Sequence, residues 1–246
     1  MKGLRKSWRP GDKFLIRYRD DHLVVVEKAA GLLTVPKPNK KGEDLLGLLR
    51  KFIKHPRKRQ TIFAVHRLDR VVSGLLVFSR SSIAKENLIS QFAEHSVKRV
   101  YLAGVDGIVP DRSGTFESWF QTDPRTLRVY SSEDDKGKHA VTHWKVVETL
   151  KEHTLLEVRL ETGARNQIRV HFAEAGFPLI GEKKYLPEDD PNSSSRQGHS
   201  RIFLHAAKLG FTHPVTHRPM EFTADLPPDL RKNWSKLKRA SKRSKD

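Results

Sequence analysis

Short apolar runs separated by polar turns dominate the chain, and helical periodicity is the exception. His22–Lys28 (HLVVVEK), Gly74–Ser79 (GLLVFS) and Val100–Val105 (VYLAGV) are rich in β-branched and apolar residues and have strand length. Between Leu127 and Glu161, the runs LRVYS, AVTHWKVVE and TLLEVRLE alternate with a period of two. Thr142, Trp144 and Val146 thereby share one face, and Val141, His143 and Lys145 the other. QIRVHF (Gln167–Phe172) and Ile202–Phe211 extend the strand pattern. Helical spacing is confined to three segments. Glu43–Lys54 puts Leu45, Leu48, Leu49 and Phe52 on one side, and Ile83–Phe92 aligns Ile83, Leu88 and Phe92 behind Ser81 or Ser82 as N-cap. Asp229–Ala240 follows Pro227-Pro228 and is the third.

Many strands, few helices and no regular βαβ alternation predict an α+β fold, a mostly antiparallel mixed sheet with flanking helices. Residues 14–226 form the expected domain, with 1–13 as an N-terminal extension and 227–246 as a C-terminal tail. Pro187–Arg201 is Ser-, Gly- and Pro-rich without periodicity, and strand-like sequence resumes after it, so it reads as a long loop within the domain. The tail shows little apolar periodicity beyond Trp234 and Leu237, and its removal is expected to leave the core folded.

Charge narrows the choice of partner. The 246 residues hold 47 Lys and Arg against 29 Asp and Glu, a net charge of +18. Leu230–Asp246 alone carries eight of those cations, and Leu49–Arg70 is the other dense stretch. Excess cations attract a polyanion and release its counterions, so nucleic acid is the favoured partner. No apolar run approaches the length of a membrane span, and no signal-type apolar core follows the basic N-terminus; a soluble, cytoplasmic protein is expected. Cysteine is absent, which excludes disulfide scaffolds and thiolate metal sites. The twelve His are scattered; His213 and His217 flank Pro214, which keeps them off a shared helix face. Neither a metal nor a cofactor is expected.

No P-loop, G-x-S-x-G or H-E-x-x-H occurs. Three clusters remain. In His66-Arg67-Leu68-Asp69-Arg70, one acid stands between two arginines, and neighbouring cations favour an ionised carboxylate. Taken alone, that cluster is better explained as an ordinary turn Asp with solvated arginines. In ETGARNQIRVHF, Gly163 interrupts the pattern before Arg165, Asn166, Gln167 and Arg169. As strand neighbours at i, i+2, Gln167 and Arg169 would present donors to a phosphate or carboxylate, or merely edge a hairpin. Tyr101 opens the run after Lys98-Arg99-Val100, where a packed aromatic is the plain reading.

Together these clusters resemble the RluA-type pseudouridine synthases, RNA-binding enzymes that isomerise uridine in ribosomal or transfer RNA. The resemblance spans roughly Phe14–Asp225. HRLDRVVSGLLVFSRS (His66–Ser81) is its most specific block, followed in the family's order by Lys98–Gly107, Gly137–Glu148, Glu161–Tyr185 and Leu204–Pro214. Ala164 and Asn166 stand where the family usually has a basic residue and a His. Many relatives begin with an S4 RNA-binding domain, for which the segment before Phe14 is too short. The resemblance implies the family's catalytic fold with a central basic cleft, acting as a monomer without cofactor. It implies Asp69 as essential carboxylate, Arg169 as its ion-pair partner and Tyr101 against the uracil. It also implies Ile168 lining the base pocket and Arg67 filling the space of a flipped nucleotide, with His66, Arg70 and Gln167 completing the substrate contacts. A non-catalytic RNA-binding protein of the same fold is the alternative; a metal-dependent nuclease would want clustered carboxylates and ranks last.

Overall fold

The computed structural model describes residues 7–9, 11–36, 42–53, 61–132, 134–186 and 199–243. The chain divides into two compact units, Met1–Lys98 with Ala206–Ala224 and Arg99–His205 with Asp225–Asp246, each assembled from two stretches of sequence. The cations between Lys54 and Arg59 and most of the Pro187–Arg201 loop lie outside the described residues.

The first unit is built on β1 (Phe14–Arg19), β2 (Leu23–Lys28), β4 (Ser73–Ser79) and β10 (Leu204–Thr212), neighbours in that order, with Leu204 and His205 counted in the second unit. The short β3 (Phe63–Ala64) pairs with β4, and β11 (Pro219–Thr223) with β10. Every residue of β2 and β4 is buried, which is why both read as continuous apolar runs instead of alternating ones. Gly74, the second residue of β4, has φ +119°, and a Cβ there would lie 2.3 Å from the Ala206 carbonyl oxygen. Only glycine lets the two backbones come this close.

Two helices belong to this unit. In α1 (Leu45–Phe52), Asp44 caps the N-terminus by accepting the Gly47 N–H at 2.9 Å. Its inward face is Leu45, Leu46 and Leu49; the expected Phe52 is 65% exposed and meets Phe14 edge-on. In α2 (Ser82–Ala93), Ser81 is the N-cap, and Ala84 and Leu88 face inward while Ile83 points to solvent. Leu88 packs with Leu23, Val25, Leu75, Val77, Leu209 and Phe211 in one apolar cluster.

The second unit is antiparallel throughout its ladder: β5 (Lys98–Asp106), β9 (His153–Leu160), β8 (Lys138–Thr149), β6 (Ser113–Thr122) and β7 (Val129–Ser132), with Lys98 itself counted in the first unit. The alternation across Thr142, Trp144 and Val146 corresponds to the inward face of β8.

Two expectations are corrected here. Gln167–Phe172 is not a strand but the body of α3 (Gln167–Glu174). Six residues of mixed polarity carry too little period to separate the two states. Ile168, Val170, His171, Phe172 and Ala173 are all buried, and a helix enclosed on most sides blurs its own amphipathic signature. The C-terminal segment is helical, as its spacing predicts, but it does not trail from the fold. It forms α4 (Pro228–Arg243), which buries Leu230 and Trp234 with Leu150, Leu155, Ile180 and Phe203, while Leu237 packs at the margin. Trp234 Nε1 donates to Glu148 Oε2 at 2.9 Å. Removing this helix would open an apolar cluster of the second unit, contrary to the neutral deletion expected from the sequence. Among the described residues no helix is long and apolar enough to cross a membrane.

Candidate active site

Asp69 sits in a turn that three upstream groups hold in place. Thr34 Oγ1 donates to the Leu68 carbonyl at 2.8 Å and accepts the Leu68 N–H at 3.1 Å, pinning both sides of that residue. Gly31 N–H donates to the Arg70 carbonyl at 2.7 Å, and Arg70 Nε returns a bond to the Gly31 carbonyl at 2.9 Å. Lys28, with no exposed surface, donates to the carbonyls of Ala29 and Leu32 at 2.9 Å each and of Arg70 at 3.4 Å. A buried ammonium costs several kcal/mol in desolvation unless carbonyls replace its water, so Lys28 commits Lys28–Leu32 and the turn to one geometry. Val72 N–H closes the turn on the Asp69 carbonyl at 3.1 Å.

Within this turn Asp69 is half-buried, and Arg67 and Arg70 are exposed. His66 points elsewhere. Its Nε2 accepts the Val77 N–H at 3.0 Å, and its ring stacks on Phe92 with centroids 4.5 Å apart. These contacts make it a strut between the turn, β4 and α2.

Tyr101 and Arg169 belong to the second unit. Tyr101 lies on β5 opposite Val158 and is 8% exposed. Two residues before it, Arg99 donates to the Glu161 carbonyl at 2.8 Å, and burial lowers its pKa. A Cβ on Gly163 would stand 2.8 Å from Arg99 Nη1, so the glycine of the Thr162-Gly163 pair makes room for that guanidinium.

Arg169, in α3, grips Glu182 through two parallel bonds, Nε to Oε2 and Nη2 to Oε1, each 2.8 Å. Its third nitrogen donates to Asn166 Oδ1 at 3.1 Å, and the guanidinium lies over the Tyr185 ring at 5.0 Å. Glu182 has no exposed surface. Burial alone would raise its pKa, but the Arg169 hydrogen bonds and charge, with the N–H groups of Lys183 and Lys184, outweigh that and hold the carboxyl below its ordinary range. Asn166 precedes the helix at φ +57°, a left-handed conformation that Asn tolerates better than most residues, and donates to Tyr185 Oη at 2.7 Å.

Gln167 does not present its amide to a substrate. It is 2% exposed; its oxygen accepts from Thr162 Oγ1 and the Ala164 N–H, and its nitrogen donates to the Val141 carbonyl and Thr142 Oγ1, all within 2.9 Å. The strand reading had it present donors on one face with Arg169; the helix turns it inward. Ile168 is 4% exposed in the first turn of α3.

Thr142 continues this polar network to His171, whose two ring nitrogens lie 2.9 Å from Thr142 Oγ1 and Ser118 Oγ. Burial pushes the His171 pKa down to about 4. The unfolded chain takes up this proton near the ordinary value of 6.5, while the folded state resists until about 4. Folding stability is therefore full above pH 6.5 and falls as pH drops towards 4, by about 3 kcal/mol if the whole shift is realised. Urea midpoints measured across pH 7 to 4 for wild type and His171→Gln check this: the wild-type decline should be steeper, and parallel curves would contradict it.

Sequence reasoning gave no role to Lys28, Thr34, Glu182 or His171. Lys28 left one signal, a cation at the end of an apolar strand; Glu182 left only its place after the apolar run FPLIG. Among the described residues, no group of three His, Cys, Asp or Glu is arranged to hold a metal.

Comparison with known proteins decides what chemistry this scaffold serves. Residues 22–174 match the RNA pseudouridylate synthase family. The chain belongs to that family. It is 36% identical over 238 residues to the ribosomal large subunit pseudouridine synthase D of Xanthomonas campestris, covering 93% of this chain and 71% of that one. It is 39% identical to the Neisseria meningitidis protein of the same name, covering 87% of this chain and 59% of the relative. The fold is also that of human RNA pseudouridylate synthase domain containing 1, with a TM-score of 0.72 at 22% identity over 91% of this chain and 89% of that one. The protein is thus an RNA pseudouridine synthase, an isomerase acting on RNA. As such it breaks a glycosidic bond and remakes it at carbon.

Proposed function

We propose that this synthase converts a specific uridine of ribosomal or transfer RNA to pseudouridine in the cytoplasm, as a monomer, with Asp69 as its essential carboxylate. The observation carrying the proposal is the Asp69 turn itself. An incidental surface acid has no use for a buried lysine, a threonine clamp and a glycine bridge directed at its two flanking residues.

The reaction breaks the C1′–N1 bond, rotates the uracil and joins C1′ to C5; C5 loses its proton and N1 gains one, so the product is an isomer. Two routes use the same carboxylate. Asp69 adds to C1′ and is later displaced, or it removes the C2′ proton to give a glycal that is reprotonated. Arg169 is the proposed cation for Asp69, and its support is orientation: Glu182 and Asn166 fix the guanidinium instead of leaving it to sample rotamers. Tyr101 packs on the uracil face, its hydroxyl assisting loss of the C5 proton. Ile168 supplies apolar wall. A stacked uridine must leave its helix to be reached, and Arg67, exposed beside the turn, is suited to occupy the vacated place because a planar guanidinium stacks like a base. Arg70 contributes charge while tied to Gly31.

Tritium release from C5-labelled uridine RNA tests the proposal. Wild type should release label in step with pseudouridine formed. Tyr101→Phe keeps the ring and loses the hydroxyl, so release should slow by roughly 10²–10⁴-fold with RNA affinity little changed. Normal turnover by the variant at saturating RNA would remove the hydroxyl from the mechanism, and no release by wild type would leave an RNA-binding protein.

A further inference from the structure

The described surface of α4 divides into two faces. Leu230, Asn233, Trp234, Leu237 and Ser241 recur at helical spacing and point inward. Leu230 and Trp234 enter the apolar cluster, and Ser241 Oγ accepts the Lys151 N–H at 3.0 Å. Arg231, Lys232, Lys236, Lys238, Arg239, Lys242 and Arg243 are all at least partly exposed on the remaining surface. Among the described residues only two ion pairs involve this helix: Asp229, its one acid, with Arg201, and Lys238 with Glu148. No described acid forms an ion pair with Lys232, Lys236, Arg239 or Arg243.

Lys236, Arg239 and Arg243 follow one another at i, i+3 and i+7, a single stripe that with Ala240 lines a shallow groove. From Lys232 to Arg243 the cations cover about 16 Å of helix rise. We infer that α4 is a docking rail for the phosphate backbone of the RNA. This inference rests on the reading of the protein as an RNA-modifying enzyme and adds where that RNA is held.

Three features favour RNA over other anionic partners. The apolar side of the helix is already used against the core, so none is left to enter a bilayer as interfacial helices do. The outward face carries no aromatic or large apolar anchor of the kind that protein interfaces bury. The cations ride on a helix fixed by Trp234 and Leu230, so their positions are set before binding and less entropy is lost on docking than with a disordered basic tail.

The test is a combined variant, Lys236→Ala, Arg239→Ala and Arg243→Ala, chosen because all three lie on the outward stripe and the apolar anchors stay. Affinity for poly(U) is measured over a salt series, and tritium release from C5-labelled ribosomal RNA is followed in parallel. The slope of log affinity against log salt should flatten by about 0.7 for each phosphate that is no longer neutralised, up to about 2 in total. The uridine modified should stay the same, because phosphate contacts hold without specifying. Lys→Arg and Arg→Lys exchanges at the same positions should restore the slope. An unchanged slope in a variant that melts like wild type overturns the rail, as does loss of binding to phosphatidylserine vesicles in place of RNA. Absence of tritium release by wild type is separate: it would overturn the enzymatic reading while the poly(U) slope still decided the rail.

Discussion

Asp69→Asn is expected to abolish isomerisation, by at least about four orders of magnitude, while RNA affinity stays level or rises slightly. The amide is nearly isosteric but neither attacks C1′ nor accepts the C2′ proton, so both routes stop at their first step. The turn should survive, because its supports grip backbone: Thr34 holds Leu68, Gly31 and Lys28 hold Arg70, and Val72 N–H meets the Asp69 carbonyl. One negative charge fewer beside Arg67 and Arg70 favours an anionic ligand. Tritium release and filter binding on the same preparation separate the two effects. Turnover near wild type in the Asn variant would mean that another group supplies the chemistry.

Glu182→Gln should be almost as damaging for a different reason. It leaves the Arg169 guanidinium, whose side chain is only 12% exposed, facing a neutral amide where a bidentate carboxylate had been. Breaking one partner out of such a pair costs about 3–5 kcal/mol. The second unit should unfold at clearly lower urea, and turnover should fall further than the fraction unfolded explains, since Arg169 is no longer held at a fixed angle. Glu182→Asp keeps the charge and should recover part of both. Because the Glu182 carboxyl is held below its ordinary pKa, its share of stability is present above the unfolded value and is lost as pH falls through the folded one, so Glu182→Gln should also flatten acid unfolding. If the variant is as stable as wild type, the pair does not support the site in the way described.

How much of this was visible in the sequence follows from how far each signal reaches. Asp69 was visible because its turn is local: acid, flanking arginines and the following Ser73-Gly74 lie within a few residues. The strands β2, β4, β8 and β9 were visible because period two or unbroken apolar burial survives over six residues or more. Failure came where packing overrides local pattern. The helix α3 looks like a strand because nearly all its faces are buried, and that error turned Gln167 from an internal pin into a supposed substrate contact. The supports were hidden for the opposite reason. Lys28 reaches Arg70 across 42 residues of chain, and Thr34 reaches Leu68 across 34, distances over which no spacing rule operates. In α4 the charges masked an apolar stripe of three residues, Leu230, Trp234 and Leu237, sufficient to fold the segment onto the second unit.

The most direct measurement is a site-resolved pseudouridine map of unmodified ribosomal RNA incubated with the purified chain, beside the same RNA incubated with Asp69→Asn. Conversion of a defined uridine by wild type and of none by the variant is the predicted result. Tight RNA binding by wild type with no pseudouridine at any position would contradict it.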